Sequence, residues 1–246
     1  MTEPMRLEMS GATHPGQVRP HNEDDFAIEP ERGLAVLADG MGGHQAGEVA
    51  AEIAVRTVTE RLPASTDDPA GRLVEAVLEA NRRVLETAAA RPECRGMGAT
   101  LVALWCRDGR FYATHLGDSR LYRLRGGVLE QLTEDHSLVQ EMVRSGMLTE
   151  AEAQASFNKN LITQALGIEP EVRPRVLEGE LADGDLFLLC SDGLSDFVDD
   201  GRIAETLAAG GGLEATAGRL VDLANEAGGA DNITVVLVRA VAPDPT

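Results

Sequence analysis

Four aspartates stand where an apolar segment meets a turn, and clustered carboxylates are the side chains of this chain best suited to chemistry. Three of them touch a glycine and the fourth opens a strongly apolar segment; the four are Asp39, Asp118, Asp192 and Asp231. Asp and Gly are also common turn residues, so each position alone would indicate only a turn. Four close carboxylates would repel each other and raise each other's pKa. A pair of divalent cations would remove that repulsion, so the pattern favours a metal site.

The segment 33–47, GLAVLADGMGGHQAG, predicts a buried strand, a tight turn and a helix, with Asp39 at the end of the strand. Its glycines do not form a dinucleotide-binding pattern, because Gln45 stands where G-x-G-x-x-G needs its third glycine. A P-loop is excluded because the chain contains no Gly-Lys-Ser/Thr. The carboxylate would repel a phosphate held directly by backbone amides, so we expect phosphate to bind here through a metal ion.

The candidate ligands are all oxygen atoms, which favours Mg²⁺ or Mn²⁺ over Zn²⁺. The histidines show no H-E-x-x-H spacing: His115 and His136 are expected to have structural or local roles, and His44, beside the central turn, is a candidate proton donor. A cysteine-based phosphatase is excluded because none of the three cysteines begins a C-x5-R pattern. Two oxygen-ligated metals suit phosphoryl hydrolysis, with one bridging Asp, a hydroxide between the ions and an arginine on the phosphate.

Composition indicates a globular protein of one large domain, since 246 residues are 43% hydrophobic and 26% charged. The net charge of -19 argues against nucleic acid as a partner. Three cysteines without C-x-x-C spacing fit a reducing compartment. Without a signal peptide or a run of 18 apolar residues, we expect a cytoplasmic protein that does not bind membranes.

Hydrophobic periodicity predicts blocks of strands and helices in place of strict βαβ alternation. Apolar residues at helical spacing predict helices over 48–62, 70–89, 137–145, 149–155, 194–209 and 213–227. Consecutive strands are predicted over 100–105, 110–116, 120–124 and 128–132, with hairpin turns at Asp108-Gly109 and Gly126-Gly127. Further strands are predicted over 7–14, 25–29, 34–38, 173–178, 185–190 and 232–238. This pattern favours an α+β fold of packed antiparallel sheets covered by helices.

Seven segments, in order along nearly the whole chain, resemble the metal-dependent protein serine/threonine phosphatases (the PPM family, protein phosphatase type 2C), in particular compact bacterial members. The segments are RPHNED (19–24), ADGMGGHQAGEVA (38–50), GMGATLV (96–102), HLGDSRLYRL (115–124), LTEDHS (132–137), LCSDGLSD (189–196) and GADNITVVLV (229–238). The resemblance implies a layered α-β-β-α sandwich, with two central antiparallel sheets flanked by helix pairs. It also implies one catalytic domain, 1–246, with a flap at about 140–166 that affects substrate choice.

The same resemblance implies a metal-binding role for five residues. Asp39 would bridge two ions and Gly40 would provide its carbonyl oxygen to one of them. Asp192 and Asp231 would hold the other ion, and Glu23 would act through water. The ions are expected to be Mn²⁺ or Mg²⁺.

Further roles follow from the resemblance. Asp118 with Asp192 would form a third, weaker metal site, and Arg19 would bind the substrate phosphate. Animal members carry a histidine, a proposed general acid, where this chain has Met41. The leaving-group proton would then come from elsewhere, such as a metal-bound water or His44.

The function implied is metal-dependent hydrolysis of phosphoserine and phosphothreonine in proteins by a metal-bridging hydroxide, opposing a bacterial serine/threonine kinase. We expect a monomer. Two alternatives remain: a catalytically inactive relative that keeps the fold as a binding module, and a phosphatase of phosphorylated anti-sigma antagonists. An inactive relative would be expected to lose metal ligands, whereas all the motif acids and Arg19 are present.

Overall fold

The computed structural model of the chain describes residues 5–42, 46–149, 152–153, 156 and 161–243. The strands are β1 (Arg6–His14), β2 (Asp24–Glu29), β3 (Leu34–Met41), β4 (Gly98–Ala99), β5 (Leu101–Arg107), β6 (Arg110–Leu116), β7 (Arg120–Arg125), β8 (Val128–Gln131), β9 (Arg175–Glu180), β10 (Leu186–Cys190) and β11 (Ile233–Val241). The helices are α1 (Ala46–Arg61), α2 (Pro69–Ala90), α3 (Leu138–Arg144), α4 (Asp192–Ser195), α5 (Asp200–Ala208) and α6 (Leu213–Glu226).

The strands form two antiparallel sheets, as the sequence predicts. One sheet has the order β1-β11-β10-β7-β8, and the other has the order β2-β3-β5-β6-β9, with the short β4 paired to the end of β3. The sequence separation of neighbours such as β1 and β11 means that the first and last parts of the chain meet in one sheet.

Alternate side chains of each central strand pack into different layers of the core. In β5, Leu101, Ala103 and Trp105 pack in the same cluster as α1 and α2, whereas Val102 and Leu104 face the cluster shared by both sheets. In β10, the alternate residues Leu186, Leu188 and Cys190 pack with α5 and α6, and Phe187 and Leu189 join the shared cluster. Successive side chains on a strand point to opposite faces, so each sheet is apolar on both faces and the fold has four layers, α-β-β-α.

The predicted helix over 194–209 is wrong as one element, because it is divided into α4 and α5. Asp199 has extended backbone geometry and its carboxylate accepts the backbone N–H of Arg202 at 3.0 Å. Such an N-cap begins a new helix, so an apolar pattern that continues across the break does not make a continuous element.

The strand predicted over 34–38, with a turn directly after Asp39, is too short: β3 continues to Met41, and Asp39 and Gly40 lie within it, paired with Asp24 and Ala99.

Other predicted bounds also differ by a few residues, and one predicted helix falls partly outside the described residues. The strand predicted over 173–178 lies at 175–180, paired antiparallel with β6. Of the helix predicted over 149–155, only the start and two inner residues are described, and the expected cap is present: Thr149 and Glu152 bond reciprocally through N–H and side-chain oxygens. Within the described ranges, none of the helices combines the length and apolarity needed to cross a bilayer.

Candidate active site

The predicted site aspartates meet because antiparallel pairing brings strand ends to one edge. In one sheet, Leu37 of β3 pairs with Val102 and Leu116 at the end of β6 pairs with Leu101, so both strands lie beside the start of β5 there. Asp39 and Asp118 each follow two residues after these pairs. In the other sheet, the end of β10 lies beside the start of β11. The residues at this edge that carry carboxylates are here called the acidic rim: Glu23, Asp24, Asp39, Asp118, Asp192 and Asp231.

The backbone around Asp39 is fixed from both sides. Its N–H donates to the Thr100 hydroxyl at 3.0 Å and its carbonyl accepts the Thr100 N–H at 2.8 Å. The Gly40 N–H donates to the Glu23 carbonyl at 3.1 Å. A side chain at Gly40 is excluded, because its Cβ would lie 2.1 Å from the carbonyl oxygen of Gly47 at the start of α1. Asp39 is therefore held in a backbone that tolerates little displacement.

Hydrogen bonds also join the rim segments of one sheet to those of the other. The Ser191 hydroxyl, beside Asp192, donates to an Asp24 carboxylate oxygen at 2.8 Å. The Thr100 hydroxyl lies 2.7 Å from the hydroxyl of Ser119, the neighbour of Asp118. These bonds connect segments of the two different sheets, so the rim forms one site at the edge where the two sheets meet.

Burial and mutual repulsion perturb the rim carboxylates. The pKa of Asp39 is raised well above its usual range by burial first and then by the negative charges of Asp24, Asp192 and Asp118. The pKa of Asp192 is raised in the same way, by burial and then by Asp118 and Asp231. These residues come from five separate segments of the sequence, and the repulsion between their charges means that their carboxylates share one electrostatic environment.

The rim has the chemistry of a cation site. Three buried carboxylate oxygens lack a hydrogen-bond partner among the described residues: Glu23 Oε1, Asp24 Oδ1 and Asp192 Oδ1. Buried anionic oxygens of this kind are costly unless paired, and hard divalent cations prefer oxygen ligands. Within the part of the chain that is described, no group of three Asp, Glu, His or Cys side chains is arranged to coordinate a metal ion. The donor set of carboxylate oxygens fits a divalent cation.

Arg19 lies at the rim in an ion pair with one of its acids. A guanidinium nitrogen is 2.7 Å from Asp231 Oδ2, and the side chains are 51% and 29% exposed, respectively. The structure thus brings the predicted phosphate-binding residue to the predicted metal ligands, and half of its side chain remains accessible to a substrate.

A cavity of about 730 Å³ opens beside Asp118 and Asp192. Val139 and Gln140 of α3, where the predicted flap begins, contribute to its lining. The predicted flap, 140–166, is described in part, and residues 150–151, 154–155 and 157–160 lie outside the described residues.

The histidines near the rim have local roles. The rings of His115 and His136 stack with their centroids 4.5 Å apart, and burial lowers the pKa of each, that of His136 to about 4. His136 Nδ1 accepts the N–H of Gly117 at 3.3 Å, so this neutral pair supports the loop that carries Asp118. The candidate proton donor His44 lies outside the described residues.

Sequence reasoning missed two residues that organise the rim. Asp24 pairs directly opposite Asp39 in the β2–β3 register, and its pKa is raised to about 6, chiefly by burial. The buried amide of Asn232 bonds to the backbone near Glu23. Strand alternation places Asp24 near the site only once the hairpin register is known, and no spacing rule indicates the partners of Asn232.

Comparison with known proteins gives concordant matches. A model of the protein phosphatase 2C family matches residues 11–225. Serine/threonine phosphatase stp of Listeria innocua is 37% identical over 234 residues, which cover 92% of this chain and 93% of that protein. The crystal structure of the Mycobacterium tuberculosis serine/threonine phosphatase PstP/Ppp has a TM-score of 0.91 at 38% identity, covering 96% of this chain and 99% of that chain.

A further solved structure bears on the cation. The catalytic domain of the serine/threonine protein phosphatase PstP, in complex with two manganese ions, has a TM-score of 0.88 at 38% identity. The match covers 96% of this chain and 99% of that chain.

Replacing Asp118 by Asn should stabilise the metal-free protein at pH 7. Burial first, and then the charge of Asp135, raise the pKa of Asp118 from 3.8 to about 6. Between these two pH values the folded state binds more protons than the unfolded state, so the free energy of unfolding falls as the pH rises through about 6. The neutral amide avoids that loss, so the variant should gain up to about 3 kcal/mol at pH 7 and little near pH 4.

Urea unfolding in EDTA, followed from pH 4 to pH 7, measures this difference. Asp67→Asn, at an exposed position in the loop before α2, is the matched control and should show no such trend. A free-energy difference that is independent of pH at Asp118 would contradict the prediction.

Proposed function

This chain belongs to the protein phosphatase 2C family, and from that membership we propose that its acidic rim binds two Mn²⁺ or Mg²⁺ ions for the hydrolysis of phosphoserine and phosphothreonine in proteins. As a member it is a hydrolase, a metal-dependent protein serine/threonine phosphatase. The observation that carries the proposal is the set of buried, unpartnered carboxylate oxygens on Glu23, Asp24 and Asp192. Such a set is unfavourable without cations and is suited to holding them.

Five residues are proposed to hold the two ions. Asp39 would serve both ions and Gly40 would offer its carbonyl oxygen to one; Asp192 and Asp231 would hold the other, and Glu23 would act through water. When bound, the ions would lower the pKa of an attacking water and neutralise charge on the phosphate. A third, weaker site would use Asp118 and Asp192, which line the same cavity.

Arg19 is proposed to bind the phosphate oxygens. A guanidinium can donate two parallel hydrogen bonds to a phosphate, and Arg19 forms an ion pair with Asp231, one of the proposed metal ligands. A cation on Asp231 would compete with Arg19 for that carboxylate and free the guanidinium for the substrate. The side chain would thereby set the phosphate next to the metal acids.

The proton for the leaving group is not assigned to a described residue. His44 remains a candidate from its place in the sequence beside the central turn. His115 and His136 are poor donors, because burial lowers the pKa of both and their ring nitrogens engage backbone groups.

The proposed substrates are phosphorylated proteins, and the proposed setting is the bacterial cytoplasm. The three cysteines are unpaired and buried, which is compatible with a reducing compartment. We propose a monomer with one catalytic domain over 1–246 and a substrate-selecting flap at 140–166. The wall that α3 contributes to the cavity supports this role for the flap.

Activity should depend on an oxygen-preferring divalent cation. Treatment with EDTA should abolish hydrolysis of p-nitrophenyl phosphate and of a phosphothreonine peptide. Mn²⁺ or Mg²⁺ should restore both activities, whereas Zn²⁺ should restore them poorly because the candidate ligands are all oxygens. A folded, Mn²⁺-loaded protein without activity on either substrate would overturn the proposed function.

Substitutions at Asp39 and Arg19 should affect different kinetic constants. Asp39→Ala should lower kcat by more than about 100-fold, since loss of a group that merely supports a ligand typically costs 10–100-fold. Arg19→Ala should mainly raise KM, by roughly 10–100-fold for a lost charge-assisted hydrogen bond. Steady-state kinetics in saturating Mn²⁺ measure both effects.

Arg56→Ala is the control for Arg19. Arg56 is a comparably exposed arginine (55%) that pairs with Glu52 on α1, and its loss should change KM by less than about twofold. If Asp39→Ala kept a normal kcat and lost only affinity, the assignment of Asp39 as the shared ligand would be wrong.

The proposed biological role is to reverse a bacterial serine/threonine kinase. Deleting the gene in its host should raise the abundance of specific phosphothreonine and phosphoserine peptides, and a plasmid copy should reverse the rise. Quantitative phosphoproteomics measures this, with an Asp39→Ala copy as the control that should not complement. An unchanged set of phosphopeptides would argue against the role.

A further inference from the structure

The side chain of Asn232 joins the segment that carries Arg19 to the turn that carries Asp231. Asn232 is 6% exposed, and its amide donates to the carbonyl oxygens of Pro15 at 3.0 Å and His21 at 2.9 Å. Its Oδ1 atom accepts the backbone N–H of Glu23 at 2.8 Å. One buried carboxamide therefore makes three bonds to a single stretch of backbone.

That stretch, residues 15–23, forms neither a helix nor a strand and depends on tertiary bonds for its position. Within it, the Gln17 N–H donates to the Gly229 carbonyl at 2.6 Å. Gly16 adopts a φ of 80°, and a Cβ there would lie 2.2 Å from the carbonyl oxygen of Asp231. The segment is thus pressed directly against the turn at 229–232.

We propose that Asn232 is a positioning residue for phosphate binding, which rests on the proposed role of Arg19. The two carbonyls bound by its amide, those of Pro15 and His21, flank Arg19 in the chain. Its backbone N–H donates to Asp231 Oδ1 at 2.9 Å, while Asp231 Oδ2 accepts from Arg19. Asn232 therefore sets the distance between the guanidinium and the carboxylate that is proposed to hold a metal ion.

The carboxamide is suited to this position because it carries two N–H donors and one oxygen acceptor. A carboxylate would keep the acceptor for the Glu23 N–H and lose both donors. An alanine would remove the partner that Asn232 offers to the carbonyls of Pro15 and His21 and to the N–H of Glu23. Either change frees the segment around Arg19, so a phosphate must then order that segment when it binds.

The test is a double-mutant cycle between Asn232 and Arg19 in Mn²⁺-loaded protein. Asn232→Ala should raise KM for p-nitrophenyl phosphate, and Kd for inorganic phosphate measured by calorimetry, about 10-fold, with a smaller change in kcat. In the Arg19→Ala background the same substitution should change both constants by less than about twofold, because no guanidinium is left to position.

Asn81→Ala is the matched control. Asn81 is 2% exposed and likewise bonds to backbone groups of one segment, accepting the Gly167 N–H and donating to the carbonyls of Glu169 and Pro170. Its loss should lower stability to urea by a similar amount and leave KM and phosphate affinity within about twofold. If Asn232→Ala does not fold, Asn232→Ser, which keeps one donor, carries the same cycle with a smaller expected effect.

The outcomes separate this proposal from the one on which it rests. If Arg19→Ala raises KM and Asn232→Ala does not, or if the effect of Asn232→Ala is as large without Arg19 as with it, the positioning role is overturned. If Arg19→Ala itself leaves KM and phosphate affinity unchanged, the assignment of Arg19 as the phosphate-binding residue fails, and the positioning role fails with it.

Discussion

The repulsion between buried carboxylates is the constraint on which the acidic rim depends. Asp39 lies in β3 of one sheet and Asp192 follows β10 of the other, yet the charge of Asp192 raises the pKa of Asp39, and burial raises the pKa of both carboxyl groups. Without cations such a group destabilises the folded state, and the apolar layers on both faces of each sheet must offset it. A cation changes the sign of the same interaction, because charges that repel each other all attract it. Affinity for cations and instability without them thus have one origin.

Hydrogen bonds to the backbone around the acidic rim hold the carboxylates in place despite their repulsion. Asp39 is bonded through both of its backbone groups to Thr100, and the Thr100 hydroxyl reaches Ser119 on the loop of Asp118. The Ser191 hydroxyl donates to Asp24, so the start of β2 is also joined to the residue that follows β10. Neutral hydroxyls can make these links without adding charge to the rim. The backbone that carries the carboxylates is therefore held by hydrogen bonds to residues of both sheets.

The sequence predicts the layers and the rim aspartates well, because both depend on local patterns. The continuous apolar run of β5 specifies two buried faces, and an acid after an apolar run marks the last part of β3 or the turn that follows β6 and β10. Register and tertiary hydrogen bonds are different. Asp24 becomes a rim residue only through its pairing with Asp39, and Asn232 only through contacts with residues more than 200 positions away. The helix break at Asp199 was missed because helical periodicity continues across it, whereas the cap that begins α5 depends on backbone geometry.

Charge balance also gives the proposed binding events an order. Arg19 is the cation that the structure places on Asp231, so in the absence of metal the guanidinium partly neutralises the rim. A divalent ion is a stronger competitor for a carboxylate than a half-exposed guanidinium, since its charge is larger and more compact. With a cation on Asp231, Arg19 would be free to pair with a phosphate dianion. Metal and phosphate would then favour each other's binding through one shared side chain, and by linkage the coupling must be the same in both directions. The bonds from Asn232 keep Arg19 close enough to both partners for this exchange to be a local movement.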